Sequence, residues 1–194
     1  MARRLVVIAS GETERRALPH LLRPLLQAGR QLIGVRIPPG NRPLNQQTVF
    51  SLIVAEWWQS KGTADQPDKF VVLLDADGRT PLTIIEAIKN PLEARLKSVA
   101  AAVKYAVAQR HLEAWYFADE QRLRHKLGRA LGRVDASQPD EILNPKHHLR
   151  QLLDDAVYTA RVSEDIARAL DPAVIKSRSS SFAGFVDAAQ NGNQ

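Results

Sequence analysis

The chain of 194 residues contains no cysteine, so disulfide bonds, thiolate metal sites and cysteine nucleophiles are excluded. It has no apolar run of roughly 20 residues, the length that a helix needs to cross a bilayer. The apolar stretch at 5–9 is shorter than the core of a signal peptide and fits a buried strand better. These absences favour a cytoplasmic protein without a membrane segment.

Several familiar catalytic signatures are missing as well. The chain has no Walker A sequence, no G-x-G-x-x-G after a strand and no G-x-S-x-G nucleophile elbow. Its five histidines do not have the spacing of a zinc protease. Any chemical centre must therefore be sought in a less familiar pattern.

Apolar patterning predicts an α/β fold. Short apolar or alternating runs at 4–9, 31–36, 70–74 and 103–107 are typical of strands. Helical periodicity separates them, and helices dominate after the last strand, so we expect a mostly parallel sheet flanked by helices, with a helical C-terminal part. Two pairs that combine an N-cap residue with proline, Thr80-Pro81 and Asn90-Pro91, each predict the start of a helix.

The same pattern suggests how the chain is divided. Residues 1–120 are expected to form the α/β core, and residues 121–190 a helical extension packed on the same domain. The polar residues 191–194 are expected to be a disordered tail.

The charge is positive and unevenly distributed. The formal net charge is +6, and residues 1–50 carry eight arginines against two glutamates. A second basic cluster follows residue 120. Such an excess attracts anionic partners such as nucleic acid, although a solvated basic helix face explains it equally well. The arginines expected to contact phosphates are Arg15, Arg16, Arg122 and Arg124.

The strongest candidate for a chemical centre is the segment Asp75-Ala76-Asp77-Gly78, which directly follows the apolar strand at 70–74. Ligands of open α/β sheets gather at the carboxyl ends of strands. If the backbone stays extended, Asp75 and Asp77 point the same way and can share one cation. Carboxylates with open coordination positions suit Mg²⁺ or Mn²⁺. The alternative is a turn that merely ends the strand.

Two further segments contain acids. Ser10-Gly11-Glu12-Thr13-Glu14 follows the first strand and could bring another carboxylate to the same edge, or could simply begin a helix. In His111–Asp119, Glu113 and Asp119 flank aromatic residues, a pattern more typical of a core helix with acids near its ends.

Taken in order, these segments resemble a bacterial family, the domain of unknown function numbered 4276. The matching pieces are Gly11–Glu14 after an apolar strand, Leu73–Gly78, Glu113–Asp119, Pro145-Lys146 and Ser179–Phe182. That family is similar to Toprim domains, the metal-dependent folds of topoisomerases, primases and OLD-type nucleases. The resemblance implies a Toprim-like fold in which one glutamate and a D-x-D pair hold a divalent metal beside a phosphodiester. It also implies an ATPase partner and a role in anti-phage defence.

By this resemblance, Asp75 and Asp77 take the D-x-D role. The family pattern usually reads Glu-Gly at the end of the first strand, whereas this chain has Ser10-Gly11. Glu12 or Glu14 could supply the missing carboxylate, as a metal ligand or as a general base. The expected function is thus an Mg²⁺-dependent nuclease, or a nuclease-related defence component that binds nucleic acid and an ATPase; a homo-oligomer is compatible with this role.

Two alternatives stay open at this stage. The chain could be a catalytically inactive module that binds nucleic acid or a partner, for example through the helix that carries Trp57 and Trp58. Less favoured is a phosphatase of the haloacid-dehalogenase type, in which Asp75 would be the nucleophile and Lys146 and Asp154-Asp155 would fit later motifs.

Overall fold

A computed structural model describes residues 3–132, 134–153 and 157–190. These residues form four strands and nine α-helices. The strands are β1 (Arg3–Ile8), β2 (Arg30–Arg36), β3 (Lys69–Asp75) and β4 (Ala102–Ala108). The helices are α1 (Glu12–Leu22), α2 (Gln46–Gln59), α3 (Pro81–Glu93), α4 (Leu112–Ala118), α5 (Glu120–Leu127), α6 (Pro145–Leu152), α7 (Ala160–Ala169), α8 (Pro172–Arg178) and α9 (Ser180–Gln190). None of the described helices is long and apolar enough to span a bilayer.

The four strands form one parallel sheet in the order β2-β1-β3-β4. Both faces of the central strands are buried, which explains why β1 and β3 are continuous apolar runs rather than alternating ones. Leu5 and Val7 of β1 pack on one face, while Val6 and Ile8 pack on the other. The predicted α/β fold, with a parallel sheet flanked by helices and a helical C-terminal part, is confirmed.

The helices divide between the two faces. Helix α1 and the helices that follow β4 contribute to the core on one face, and α2 and α3 cover the other. The chain therefore leaves β1 toward one face and leaves its neighbour β3 toward the opposite face. A crevice opens at the carboxyl ends of two parallel strands where this divergence occurs, and such crevices are where α/β folds bind ligands.

One predicted helix start is wrong. Asn90-Pro91 does not begin a helix, because α3 runs without a break from Pro81 to Glu93 with Pro91 inside its last turn. The neighbouring Leu92 is fully buried and anchors that turn to the core. Helix α8 was not predicted, although Asp171 caps it and Pro172 opens it, the same kind of signal that revealed α3.

The C-terminal helices pack on the sheet and on α1. Helix α9 lies against β4, and α7 lies along α1. Trp115 of α4 stacks on Phe185 of α9 with ring centroids 5.7 Å apart and also contacts Phe182 at 4.9 Å. The domain boundary at residue 120 stays a prediction, and the tail predicted at 191–194 lies outside the described residues.

A carboxylate fastens the start of α9 to the rest of the core. Asp140 accepts hydrogen bonds from the hydroxyls of Ser179 at 2.8 Å, Ser180 at 3.0 Å and Ser181 at 2.6 Å, and from the backbone N–H of Ser181 at 3.0 Å. The indole N–H of Trp115 donates to Ser181 Oγ at 2.8 Å. The three consecutive serines therefore serve a structural purpose, since they join the start of α9 to Asp140, and Ser181 also joins it to Trp115 of α4.

We expect Asp140→Ala to destabilise the protein by about 2–4 kcal/mol, because several charge-assisted hydrogen bonds lose their acceptor at once. Urea unfolding followed by circular dichroism measures this change. Asp135→Ala is the matched control, because Asp135 also accepts from a serine, Ser137, but in an exposed local turn. Equal losses of stability in the two variants would contradict the structural role of Asp140.

Candidate functional site

Polar side chains from two neighbouring strands meet at the crevice. Ser10 comes just after β1, and Asp75 is the last residue of β3. The Ser10 hydroxyl donates a long hydrogen bond of 3.4 Å to Asp75 Oδ2. Ser10 therefore occupies the end of the first strand, the position where the resemblance leads one to expect a glutamate.

Asp77 reaches the same place by a turn and not by an extended strand. The expectation that alternation along extended backbone would bring Asp75 and Asp77 together is wrong, because β3 ends at Asp75. Asp77 and Gly78 have positive φ angles of 51° and 78°, and Arg79 N–H donates to the carbonyl of Ala76 at 2.9 Å. Asp-Gly is the sequence that tolerates this geometry best. The turn lifts Asp77 above the sheet edge, where it is half-exposed.

A histidine joins the two aspartates. His111 precedes α4, just beyond the end of β4, the strand next to β3. Its Nε2 lies 3.0 Å from Asp77 Oδ1, and its Nδ1 lies 3.9 Å from Asp75 Oδ2. The nearby Asp75 carboxylate raises the pKa of His111 most, and the charges of Asp77 and Glu113 add to it against the effect of partial burial. The imidazole therefore favours its charged form as a counter-ion to the acids.

The structure separates the two glutamates of α1. Glu12 is exposed and forms an ion pair with Arg15 at 2.8 Å. Glu14 turns inward. Burial, followed by the charge of Asp75 and then that of Glu113, raises the pKa of Glu14 to about 7. Glu14 is therefore the predicted acid that shares its surroundings with Asp75.

Glu113 was missed as a site residue. It is 3% exposed, in the first turn of the buried helix α4. Its charge raises the pKa of both Glu14 and His111, which places it beside them. The segment His111–Asp119 was interpreted as a core helix with acids near its ends, and that holds for Asp119, which caps α5 through the Arg122 N–H. The nearly complete burial of Glu113 has no signal in a single sequence.

The arginines at the site are also not the ones predicted. A Cβ atom on Gly78 would collide with Arg110 Nη1, so the Arg110 guanidinium lies directly against the turn. Its buried Nε atom has no hydrogen-bond partner in the described part of the chain. Arg79 also lies at the turn, with Nη2 4.0 Å from Asp77 Oδ2. Both cations adjoin the acids.

The four predicted phosphate-binding arginines are engaged in ion pairs elsewhere. Arg15 pairs with Glu12, Arg16 with Glu164 at 3.2 Å, Arg122 with Asp171 at 3.2 Å and Arg124 with Glu120. These arginine side chains are about half-exposed, and exposed ion pairs contribute little stability. A phosphate could displace such partners, but within the described ranges no contact joins these arginines to Asp75 or Asp77.

The oxygen atoms of the site are of the kind that binds a divalent ion, but they are not arranged as a metal site. Asp75, Asp77 and Glu14 offer carboxylate oxygens, the ligands that Mg²⁺ and Mn²⁺ prefer. Among residues 3–132, 134–153 and 157–190, however, no three acids or histidines are arranged as a ligand set. The His111 ring contacts both aspartates instead. The donor atoms are therefore of the right chemical kind for the ion. For the ion to bind, Asp75 and Asp77 must give up their contacts with His111.

A cleft of about 690 Å³ adjoins the acids. Ser10 and Asp75 lie at its edge, and Arg79 and Thr80 begin the wall formed by α3. Its size is within the range of about 300–1,000 Å³ that is usual for small-molecule sites. The acids, the two arginines and the cleft together form a site at the carboxyl edge of the sheet that can hold a cation, a phosphate and an organic group side by side.

Comparison with known families agrees with the resemblance drawn from the motifs. The family model described as Domain of unknown function (DUF4276) matches residues 10–189. The chain therefore belongs to this family. No curated protein and no solved structure matched it.

The buried acid Glu14 predicts an unusual dependence of stability on pH. Its folded-state pKa of about 7 lies above the ordinary value of 4.5, so the folded state holds a proton that the unfolded state releases. The contribution of Glu14 to the free energy of unfolding is fully present below pH 4.5 and is lost as the pH rises through 7. The loss is on the order of 3 kcal/mol. Glu14→Gln should remove this decline, as measured by urea unfolding from pH 4.5 to pH 8 with a chelator present.

Glu12→Gln is the control for this measurement, because it makes the same chemical change on the exposed side of α1. His111 also loses its proton as pH rises, so the difference between wild type and Glu14→Gln is the informative quantity. If both variants keep the wild-type pH profile, Glu14 does not lie in the buried acid cluster.

Proposed function

We propose that this protein is an Mg²⁺-dependent nuclease of the Toprim-like kind, or a nuclease-related component of an anti-phage defence system that acts with an ATPase. The observation that carries the proposal is the gathering of Glu14, Asp75 and Asp77 at the carboxyl ends of β1 and β3, beside two arginines and a cleft. Acids at this location are suited to metal-dependent chemistry on a phosphodiester.

Excess negative charge supports the metal assignment. Three acids, Asp75, Asp77 and Glu113, raise the pKa of the single imidazole, His111, and a fourth acid, Glu14, interacts with Asp75 and Glu113. Because burial and then the charge of Asp75 raise the pKa of Glu14 to about 7, a cation placed among these acids would be bound in exchange for a proton on Glu14. We assign Asp75 and Asp77 as the first two ligands and Glu14 as the third. A metal ion bound there would neutralise phosphate charge and activate water.

The remaining side chains are suited to hold the substrate. Arg110, whose buried Nε has no hydrogen-bond partner among the described residues, and Arg79 both lie against the D-x-D turn and can neutralise a phosphate held there. His111, once released from the aspartates, can donate a hydrogen bond to a phosphate oxygen. The predicted arginines of α1 and α5 would then act at a distance, by attracting the polyanion through the net charge of +6.

A catalytically inactive binding module is the second candidate. It is favoured by the neutral Ser10 at the end of β1 and by the absence of a ready ligand set in the described residues. A partner such as an ATPase could use α2, on which Trp58 is 51% exposed, whereas Trp57 is buried in the core. The phosphatase alternative has less support, because Lys146 lies over the Tyr158 ring at 5.8 Å, and Asp154-Asp155 lie outside the described residues.

Cleavage assays with matched variants test the proposal. Wild-type protein with Mg²⁺ or Mn²⁺ should cut DNA or RNA, and Asp77→Asn or Glu14→Gln should lower the rate by about 100-fold or more, since several kcal/mol of stabilisation by the metal are lost. Glu12→Gln should retain activity, because Glu12 is exposed and paired with Arg15.

Circular dichroism must show that each variant is folded. Cleavage that is equal in wild type and Asp77→Asn would show that the activity comes from elsewhere. Binding of Mg²⁺ and nucleic acid without cleavage under any condition would favour the inactive module.

A further inference from the structure

Helix α3 leaves much of its apolar face uncovered. Of its 13 residues, only Leu92, near the C-terminal end, is fully buried. Ile84 and Ile88 are half-buried, although an amphipathic helix on a sheet ordinarily buries this face completely. They are not covered because the cleft lies between the first turns of α3 and the sheet edge. The fold therefore keeps an apolar wall open beside the acids.

The two ends of the cleft differ in chemistry. Most of the cleft wall is apolar, whereas the end near Asp75 carries a few hydroxyl groups and one cation. The apolar residues are Leu44, Leu74, Ile84, Ala87 and Ile88, and the polar ones are Ser10, Asp75, Arg79, Thr80 and Thr83. Thr80 precedes α3 but does not cap it with its side chain, so its hydroxyl is not used by the helix. A ligand that fits must have a flat or apolar part with polar edges and, at one end, an anion.

We propose that this cleft binds the base and sugar of the nucleotide whose phosphate lies at Asp75, and that the substrate is consequently single-stranded nucleic acid. This inference rests on the proposed function. Apolar side chains receive the faces of an unstacked base, and hydroxyls such as those of Thr80 and Thr83 bond its edges. A base within a duplex is paired and stacked, so it cannot enter the cleft without being extruded.

Arg79 can link the two parts of such a ligand. Its side chain is 69% exposed, its Nε donates to the Ala76 carbonyl at 3.2 Å, and its ion pair with Asp77 is loose at 4.0 Å. An exposed pair of this kind is weak, so the guanidinium can turn to a phosphate at little cost. The phosphate would then lie between Arg79 and the acids, and the base would point toward Ile84 and Ile88.

Binding of a mononucleotide tests the inference without any cleavage step. The probes are deoxyadenosine 5′-monophosphate and 2-deoxyribose 5-phosphate, which differ only in the base. Methyl-labelled protein is titrated with each, and the isoleucine and leucine signals are followed by NMR. Ala87→Trp fills the cleft from an exposed position, and Ala55→Trp places the same side chain on the outer surface of α2.

We expect the nucleotide to shift the methyl signals of Ile84, Ile88 and Leu74, and not that of Ile166 in the opposite core. It should bind about tenfold more tightly than the sugar phosphate, because the base adds burial against apolar side chains. Ala87→Trp should abolish this difference, whereas Ala55→Trp should keep it. Equal binding of the two probes, or full binding by Ala87→Trp, would overturn the inference.

Cleavage of matched oligonucleotides separates this inference from the proposed function. Single strands should be cut faster than duplexes, and Ala87→Trp should slow their cleavage. If Asp77→Asn abolishes cleavage but the nucleotide does not bind the cleft, the nuclease assignment stands and the base site fails. If the nucleotide binds the cleft but wild type cuts nothing, the base site stands and the nuclease assignment fails.

Discussion

The divergence of the chain after β1 and β3 is the constraint on which the site depends. These two strands are neighbours in the sheet, yet the chain leaves them toward opposite faces. Ser10 follows β1, Asp75 ends β3, and both line the cleft at the carboxyl ends of these strands. The same divergence separates α1, which carries Glu14, from α3, which forms the apolar wall. The site is therefore a consequence of strand order as much as of individual residues.

Electrostatics then determine what can bind at this edge. Four acids share it with one histidine and two arginines, and one of the acids is almost completely buried. Such a cluster lowers its free energy by taking up protons or cations. The raised pKa values of Glu14 and His111 reflect the uptake of protons. The metal proposed for Asp75, Asp77 and Glu14 would be the uptake of a cation. Proton and metal compete for the same negative charge.

Much of the fold could be predicted from the sequence because the patterns are local. The apolar runs of β1 and β3 and the alternation of β4 indicated strands correctly, and Asp119 was correctly expected to cap α5. The choice between Glu12 and Glu14 was left open, although helical spacing contains the answer. Glu14 lies three and four residues before the buried Ala17 and Leu18, so it shares their face.

Other parts of the site could not be predicted, because they depend on contacts between distant segments. His111 reaches Asp75 and Asp77 only because β3 and β4 are paired, with Asp75 opposite Ala108. Arg110 lies against Gly78 for the same reason. The cleft has no signature at all, since the residues that line it are spread from Ser10 to Ile88 and include ordinary leucines and isoleucines.

The central claim is that the carboxyl edge of β1 and β3 binds a divalent metal. A crystal structure with Mn²⁺ soaked in, with anomalous scattering used to locate the ion, tests it most directly. We expect a peak bonded to carboxylate oxygens of Asp75 and Asp77, with His111 moved away from both. A site without a peak at saturating Mn²⁺, with His111 still in contact with both aspartates, would contradict it.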